Sequence, residues 1–387
     1  MTSFRVMTVY GTRPEAIKMA PVIRELRSSA LFEPVVVVSG QHREMLDPVD
    51  RLFALEPDHD LGLLVAGAPL ARIFSRVLKR FDAVLAADPP DVVVVQGDTS
   101  TAAAAALAAF YRRIPVVHLE AGLRTGRVTS PFPEELNRRM ITQTARLHLA
   151  ATQGNKENLL RERVEEEAVL VVGNTVVDAL RLCLDSPAEP GDPALAALGG
   201  PARPLVLVTA HRRENWGAPL VRIGRAVARL AARFPAVQFV APLHANPDVR
   251  RPLEQQLRDV PNVLITAPLG YPDFTRLLGR ARVVLSDSGG VQEEAPSLGV
   301  PVVLLRDSTE RPEAVDAGAV LLAGTDEDRI VRATTTLLTD ADAHAAASSA
   351  VSPFGDGHAA RRAVAAIAWL VGAGDRPDEF VPAGVAR

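Results

Sequence analysis

The sequence predicts an α/β protein with two similar doubly wound halves, each a parallel sheet covered by helices on both faces. Three observations predict it. Short β-branched runs alternate with longer helix-forming stretches along most of the 387 residues, the mark of right-handed βαβ units. The alternation breaks at a Pro- and Gly-punctuated connection over 186–204 and then restarts. Chemically capable residues recur at the ends of the strands in both halves.

In the first half, 4–10, 34–38, 92–95 and 115–119 read as buried strands, the third being four consecutive valines. Between them, 14–29, 69–87 and 99–112 have helical length and composition. In the second half, strands are expected at 204–210, 237–241, 262–266, 282–286 and 301–305, with helices at 217–233, 247–258, 271–280 and 289–298. These elements place one domain over 1–171 and another over 172–357, with a C-terminal helix, 358–375, packing back on the first.

Composition narrows the function classes. With 48% hydrophobic and 23% charged residues the chain is an ordinary globular protein rather than a disordered one. A net charge of −3 gives no general reason to expect nucleic acid or an anionic membrane as partner. No stretch reaches the roughly 18–20 apolar residues that span a bilayer. The N-terminal run meets Gly11 and Arg13 too soon to be a signal-peptide core. Cys183 is the single cysteine, which excludes an intramolecular disulfide, a CxxC pair and a multi-cysteine zinc site, and fits a cytoplasmic setting. It lies in an apolar helical pattern and reads as core. There is no GxGxxG and no HExxH, and none of the three lysines follows a glycine, so there is no Walker A loop.

Ligands of open parallel sheets bind at the carboxyl ends of the strands. Here those ends read Gly11-Thr12-Arg13-Pro14-Glu15, Gly40-Gln41-His42, Gln96-Gly97-Asp98-Thr99 and His118-Leu119-Glu120-Ala121-Gly122. The second half adds His211-Arg212-Arg213-Glu214, His244 and Asp287-Ser288-Gly289-Gly290. Each has a plainer reading: Asp98 or Thr99 as the N-cap of the next helix, Asp287 and Ser288 likewise, Arg212 and Arg213 as a solvated edge, His118 and His244 as satisfied histidines. Their recurrence at seven strand ends argues for one ligand cleft between facing halves. Arg13, His211, Arg212, Arg213, Arg311 and the glycines opening the helix after Ser288 suit a diphosphate. Asp98, Glu120 and the pair Glu134-Glu135 supply candidate bases. Of that pair Glu135 is the less secure, since either glutamate also favours a helix N-terminus.

These blocks resemble the non-hydrolysing UDP-N-acetylglucosamine 2-epimerases. The resemblance is carried by Gly11-Thr12-Arg13-Pro14-Glu15-Ala16-Ile17-Lys18, Gln96 to Thr99, His118 to Arg124 and Pro133-Glu134-Glu135-Leu136-Asn137-Arg138. It continues through Thr209-Ala210-His211-Arg212-Arg213-Glu214-Asn215, Ser286 to Pro296, and Thr309-Glu310-Arg311-Pro312-Glu313-Ala314. All run in order along the chain.

The resemblance implies two Rossmann-like domains of the GT-B type, facing and closing across a cleft, and a homodimer. It implies interconversion of UDP-GlcNAc and UDP-ManNAc at C2 with neither NAD nor metal: UDP is eliminated to leave 2-acetamidoglucal, then adds back. Asp98, Glu120 and Glu134 are expected to share the proton transfers, with His211 in the catalytic set. Arg13, His211 and the Ser288-Gly289-Gly290 turn are expected on the diphosphate, and Lys18 and Arg311 near the phosphates or sugar. Glu294 is expected on the ribose hydroxyls and Phe274 against the uracil. Phe274 also reads as a core aromatic, and Lys18 as a surface charge.

Gln41, His42, Arg212 and His244 resemble the site at which many members bind a second, activating UDP-GlcNAc. Glu44, however, stands where a glutamine is expected, and Gly67 falls about where an arginine is expected. Both changes disfavour an anion, so activation by substrate is expected to be weak or absent. The alternatives are an epimerase of a modified UDP-HexNAc such as a diacetamido uronic acid, a GT-B glycosyltransferase, a UDP-sugar sensor without turnover, and a hydrolysing epimerase.

Overall fold

A computed structural model of the chain describes residues 3–40, 43–63, 68–185, 191–196, 198 and 203–383. It divides into two compact units: the first comprises residues up to Leu182 together with the C-terminal segment from Phe354, the second Cys183–Pro353.

The first unit runs β1 (Phe4–Tyr10), α1 (Arg13–Ser28), β2 (Phe32–Val38), α2 (Arg43–Leu52), β3 (His59–Asp60), α3 (Leu70–Ala87) and β4 (Val92–Gln96). It continues with α4 (Ser100–Tyr111), β5 (Val116–Ala121), α5 (Glu134–Thr144), β6 (Leu147–Ala150), α6 (Gln153–Arg161), β7 (Val169–Val171) and α7 (Thr175–Leu184). The second unit starts with α8 (Pro193–Ala196), β8 (Leu205–Thr209), α9 (Ala218–Arg233), β9 (Gln238–Pro242), α10 (Pro247–Leu257), β10 (Val263–Thr266) and α11 (Tyr271–Arg280). It closes with β11 (Val283–Ser286), α12 (Gly289–Ser297), β12 (Val302–Leu304), α13 (Pro312–Asp316), β13 (Val320–Leu322), α14 (Glu327–Thr339) and α15 (Ala341–Ser348). The last helix, α16 (Ala359–Leu370), belongs to the first unit and packs on α1.

Both sheets are wholly parallel, ordered β3-β2-β1-β4-β5-β6-β7 and β10-β9-β8-β11-β12-β13. The chain therefore reverses its direction of sheet growth between β1 and β4, and again between β8 and β11. Loops leaving adjacent strands at such a point diverge to opposite faces and open a crevice. The strand order thus selects the crevice beside Gly11 and Gly97 in the first unit and beside His211 and Asp287 in the second.

The central strands are valine-rich because they are covered on both faces: β4 is buried throughout, and so are the last five residues of β1. Each enclosed Val or Leu contributes about 1.5–3 kcal/mol. The alanine-rich helix α4 is enclosed against the sheet and packed on α3 and α5, where small side chains permit close approach. Pro34 lies within β2, opposite Val6 of β1, at a height where the outer neighbour β3 does not pair, since β3 meets only Val37 and Val38. Its missing N–H costs no ladder bond there. Strands β3, β6, β7 and β13, of two to four residues, lay outside the sequence expectation. The C-terminal helix is held by Asp178, which accepts from the N–H groups of Ala359 (3.2 Å) and Ala360 (2.8 Å) at its first turn. No helix among the described residues is long and apolar enough to cross a membrane.

Candidate active site

In the first unit, Thr12 caps α1 in a capping box with Glu15, and Lys18 follows one turn later. At the end of β4, Gly97 turns through φ +68° and releases Asp98 and Thr99. The cap of α4 is Thr99, whose hydroxyl accepts from Ala102 N–H at 3.0 Å. Asp98 is left for another task. Its carboxylate meets Arg138 Nε at 2.8 Å, and its carbonyl accepts from Asn137 Nδ2 at 2.8 Å, so α5 fixes it on both sides.

Glu120 carries the strongest local signal in this unit. Its φ is +63°, a left-handed conformation that costs a non-glycine residue roughly 1–3 kcal/mol. The β5–β6 register shifts between Leu119 and Ala121, so Glu120 sits on a bulge that re-aims its side chain. Lys18 and Asn174 Nδ2, the latter at 3.0 Å, meet one carboxylate oxygen, and Gln96 Nε2 meets the other. Three donors thus converge on a side chain only 11% exposed. Lys18 is accordingly an ion-pair partner of a site carboxylate and no surface charge. Asn174 has no sequence signal of its own; its amide is oriented by Val176 N–H donating to its Oδ1 at 3.0 Å.

The two glutamates opening α5 divide their tasks. Glu135 is fully buried and accepts from Thr125 N–H (3.0 Å), Arg138 (3.1 Å) and Arg139 (3.1 Å), all of them ties that hold the fold. Glu134 keeps a buried Oε2 that has no hydrogen-bond partner among the described residues. Arg13 is exposed at the mouth of the same turn.

His118 lies beneath this set and is fully buried, its Nε2 at 2.8 Å from the Gly97 carbonyl. Since a carbonyl only accepts, Nε2 carries the proton. Burial pushes its pKa down to about 3, and burial likewise brings its cross-strand partner His148 to about 4. Both are therefore neutral at physiological pH. With folded values below the unfolded 6.5, they bind fewer protons in the native state, so their contribution is full above pH 6.5 and is lost as pH falls toward 4. Histidine NMR is expected to show two of the eight imidazoles remaining neutral down to pH 5. A His148→Gln variant is expected to lose less stability on acidification, by about 1.4 kcal/mol per pH unit across that window.

In the second unit the β8 and β11 ends are tied by Asp287. Fully buried, it accepts from the N–H groups of His211 (3.0 Å) and Arg212 (2.9 Å) and from Asn215 Nδ2 (2.9 Å). It faces the β8 loop and does not cap α12. Ser288 occupies the N-cap position without a side-chain bond to the helix, which leaves the first N–H groups of α12 uncapped by a hydroxyl. A Cβ on Gly289 would fall 2.8 Å from Arg311 Nη1 and 3.2 Å from Arg212 Nη2, so two guanidinium groups lie close against this helix start. Helix N–H groups beside two arginines have the chemistry that suits an anion. Arg311 is oriented by Glu293, its Nε donating to Oε1 at 2.6 Å.

The His211 side chain is 42% exposed, and its ring lies nearly parallel to that of His244, 6.2 Å away. Glu294 is buried and accepts from the Tyr271 hydroxyl at 3.0 Å. Phe274, one turn beyond Tyr271 on α11, is half-buried and stands outside the core. Gln41, His42 and Gly67 lie outside the described residues, as does the side chain of Glu44. Cys183 is buried beside the Thr275 hydroxyl at 3.3 Å. Among the described residues no group of three or more His, Cys, Asp or Glu could hold a metal ion.

Two parallel, doubly wound units with polar sets at both switch points define an α/β enzyme of GT-B-like architecture. The family model for UDP-N-acetylglucosamine 2-epimerase matches residues 24–368. The UDP-N-acetylglucosamine 2-epimerase of Yersinia pestis is 48% identical over 368 residues, covering 94% of this chain and 98% of that protein. The enzyme of that name from Escherichia coli K12 is 47% identical over 369 residues, with the same coverage. A putative UDP-N-acetylglucosamine 2-epimerase of Listeria monocytogenes superposes with a TM-score of 0.91 at 41% identity, covering 98% of this chain and 100% of that one. The Neisseria meningitidis UDP-GlcNAc 2-epimerase bound to UDP-GlcNAc gives 0.86 at 42%, covering 94% and 99%. The chain belongs to the UDP-N-acetylglucosamine 2-epimerase family.

Proposed function

We propose that this chain interconverts UDP-GlcNAc and UDP-ManNAc by inverting C2, without releasing the free sugar. The observation that carries this reading is the set Asp98, Glu120 and Glu134: three carboxylates at the β4, β5 and α5 ends, none of which caps a helix by its side chain. A transferase acting at C1 has no use for such a set, and the relatives' names favour the epimerase over an enzyme of a modified sugar.

The C2 proton is weakly acidic, and a carboxylate alone is too weak a base to remove it. If cleavage of the C1–O bond runs ahead, UDP leaves with the bonding pair, C1 becomes oxocarbenium-like, and the C2 proton passes to a carboxylate as the C1=C2 bond forms. The 2-acetamidoglucal then takes a proton on the opposite face of C2, and a diphosphate oxygen returns to C1. Inversion requires proton transfer at both faces, hence more than one carboxylate. We assign Asp98, Glu120 and Glu134 to these transfers, with Lys18 paired to Glu120 beside the sugar. Leaving-group charge falls to Arg13, His211, Arg311 and the Ser288-Gly289-Gly290 turn. Glu294 takes the ribose hydroxyls and Phe274 the uracil face. We assign Arg212 and His244 to a weakened remnant of an activator site. The enzyme is expected in the cytoplasm as a homodimer.

Proton NMR of UDP-GlcNAc with the protein in deuterated buffer tests the reading. UDP-ManNAc carrying deuterium at C2 is the expected product, formed along a hyperbolic rate curve. Free ManNAc and UDP, or no label at C2, overturns it; a sigmoidal curve overturns the activator assignment alone.

A further inference from the structure

The reaction leaves unused one almost fully enclosed carboxylate of the first crevice. Glu15 is 2% exposed and accepts four hydrogen bonds. Oε2 takes the N–H of Gly11 (3.1 Å), the N–H of Thr12 (2.8 Å) and the Thr12 hydroxyl (2.8 Å). Oε1 takes the Thr99 hydroxyl at 2.6 Å. A capping box needs only the first oxygen. The second is spent across the switch point, on the N-cap of another helix.

The Thr99 hydroxyl has one proton and gives it to Glu15; its lone pair receives Ala102 N–H. One carboxylate therefore joins the first turn of α1 to the first turn of α4, a place where the positive ends of both helix dipoles favour its charge. Asp98 immediately precedes Thr99. From its other side it is held by Arg138 and Asn137. The Asp98 carboxylate is thus set between two clamps, and Glu15 anchors one of them. Burial pushes the Glu15 carboxyl up to about 7, against the hydrogen bonds from Thr99, Thr12 and Gly11 that hold it down.

We propose that Glu15 is a positioning residue for catalysis, fixing Asp98 at the reacting C2 through Thr99. The proposal rests on the catalytic role assigned to Asp98. A reacting group displaced by about 1 Å loses roughly 100-fold in rate. The Thr99 oxygen has two lone pairs and would accept from a glutamine NH2, so glutamine keeps a link; Glu15→Ala removes it, and Thr99→Val removes it with the α1 cap intact.

The test uses the full chain, following C2 deuterium exchange and turnover of UDP-GlcNAc. Glu15→Ala and Thr99→Val are each expected to lower kcat by about 10- to 100-fold with KM within about threefold. The double variant is expected to be no worse than the poorer single one, because both cut the same link. Thr99→Ser, which keeps donor and cap, is expected to retain wild-type kcat. The proposal is overturned if Glu15→Ala turns over at the wild-type rate, if the two losses multiply, or if only melting temperature falls. Should Glu15→Ala not fold, Thr99→Val against Thr99→Ser decides: equal kcat in the two overturns the proposal. Asp98→Asn separates the two readings. Wild-type exchange in that variant sinks the role of Asp98 itself, whereas a dead Asp98→Asn beside a fully active Glu15→Ala sinks only the positioning role.

Discussion

Glu120→Gln is expected to slow deuterium incorporation at C2 by about 1,000-fold, a loss of about 4 kcal/mol of transition-state stabilisation. The size follows from the surroundings of the side chain. Lys18, Gln96 and Asn174 all present donors to Glu120, and a carboxylate can accept from all three. An amide replaces one acceptor oxygen by a further donor, so it meets like with like and leaves the Lys18 ammonium without its counter-charge in a largely enclosed place. The left-handed backbone at Glu120 remains, because the bulge is imposed by the β5–β6 register and not by the carboxylate. UDP binding is therefore expected to persist in a folded protein that no longer exchanges C2. Wild-type exchange, measured by NMR in deuterated buffer, would remove Glu120 from the catalytic set.

Gly122→Ala is expected to cost about 3–5 kcal/mol of stability in the first unit, read as a melting temperature lower by about 10 °C. Gly122 has φ +90°, and a Cβ there would lie 2.2 Å from the carbonyl oxygen of Asn155 and 2.8 Å from its carbon. The obstacle is backbone at the start of α6 and cannot rotate away. The Gly122 carbonyl itself accepts from Asn158 Nδ2 at 3.0 Å, so moving it also strains a hydrogen bond that docks α6 on the end of β5. Because Gly122 follows Glu120 by two residues, the displaced chain carries the site carboxylate with it. Gly126→Ala is the control: its φ is +78°, but nothing lies within 4 Å of the added methyl, so only the roughly 1–2 kcal/mol of left-handed strain applies. Equal losses in the two variants would show that the Asn155 contact is not decisive.

The long elements were legible from sequence because burial on both faces of a parallel strand leaves a plain mark. The Val-Val-Val-Val run of β4 and the helix over 271–280 fall where the pattern put them. Strands β6 and β7, four and three residues long, left no such mark; Leu147-His148-Leu149-Ala150 is too short and too little β-branched to stand out from a helix end. The site blocks were legible as motifs, but the task of each residue within a block was not. Asp98 and Thr99 are equal candidates for a cap, and so are Glu134 and Glu135 for a helix dipole. Only the packing of α5 against the β4 end turns Asp98 toward Arg138 and Glu135 into the fold.

By itself the sequence determined the class of protein: alternation and apolar runs are local properties that dictate strands, helices and parallel pairing, and the ordered motifs dictate the family. The tertiary structure alone decided which strands are neighbours, hence where each crevice opens, and which of two adjacent polar residues serves the site. The physical reason is that deciding hydrogen-bond partners lie far apart in the chain, 38 residues for Arg124 and Glu162 and 157 for Thr175 and Lys18. No local rule weighs one distant donor against another; that choice is made when the sheet brings them within 3 Å.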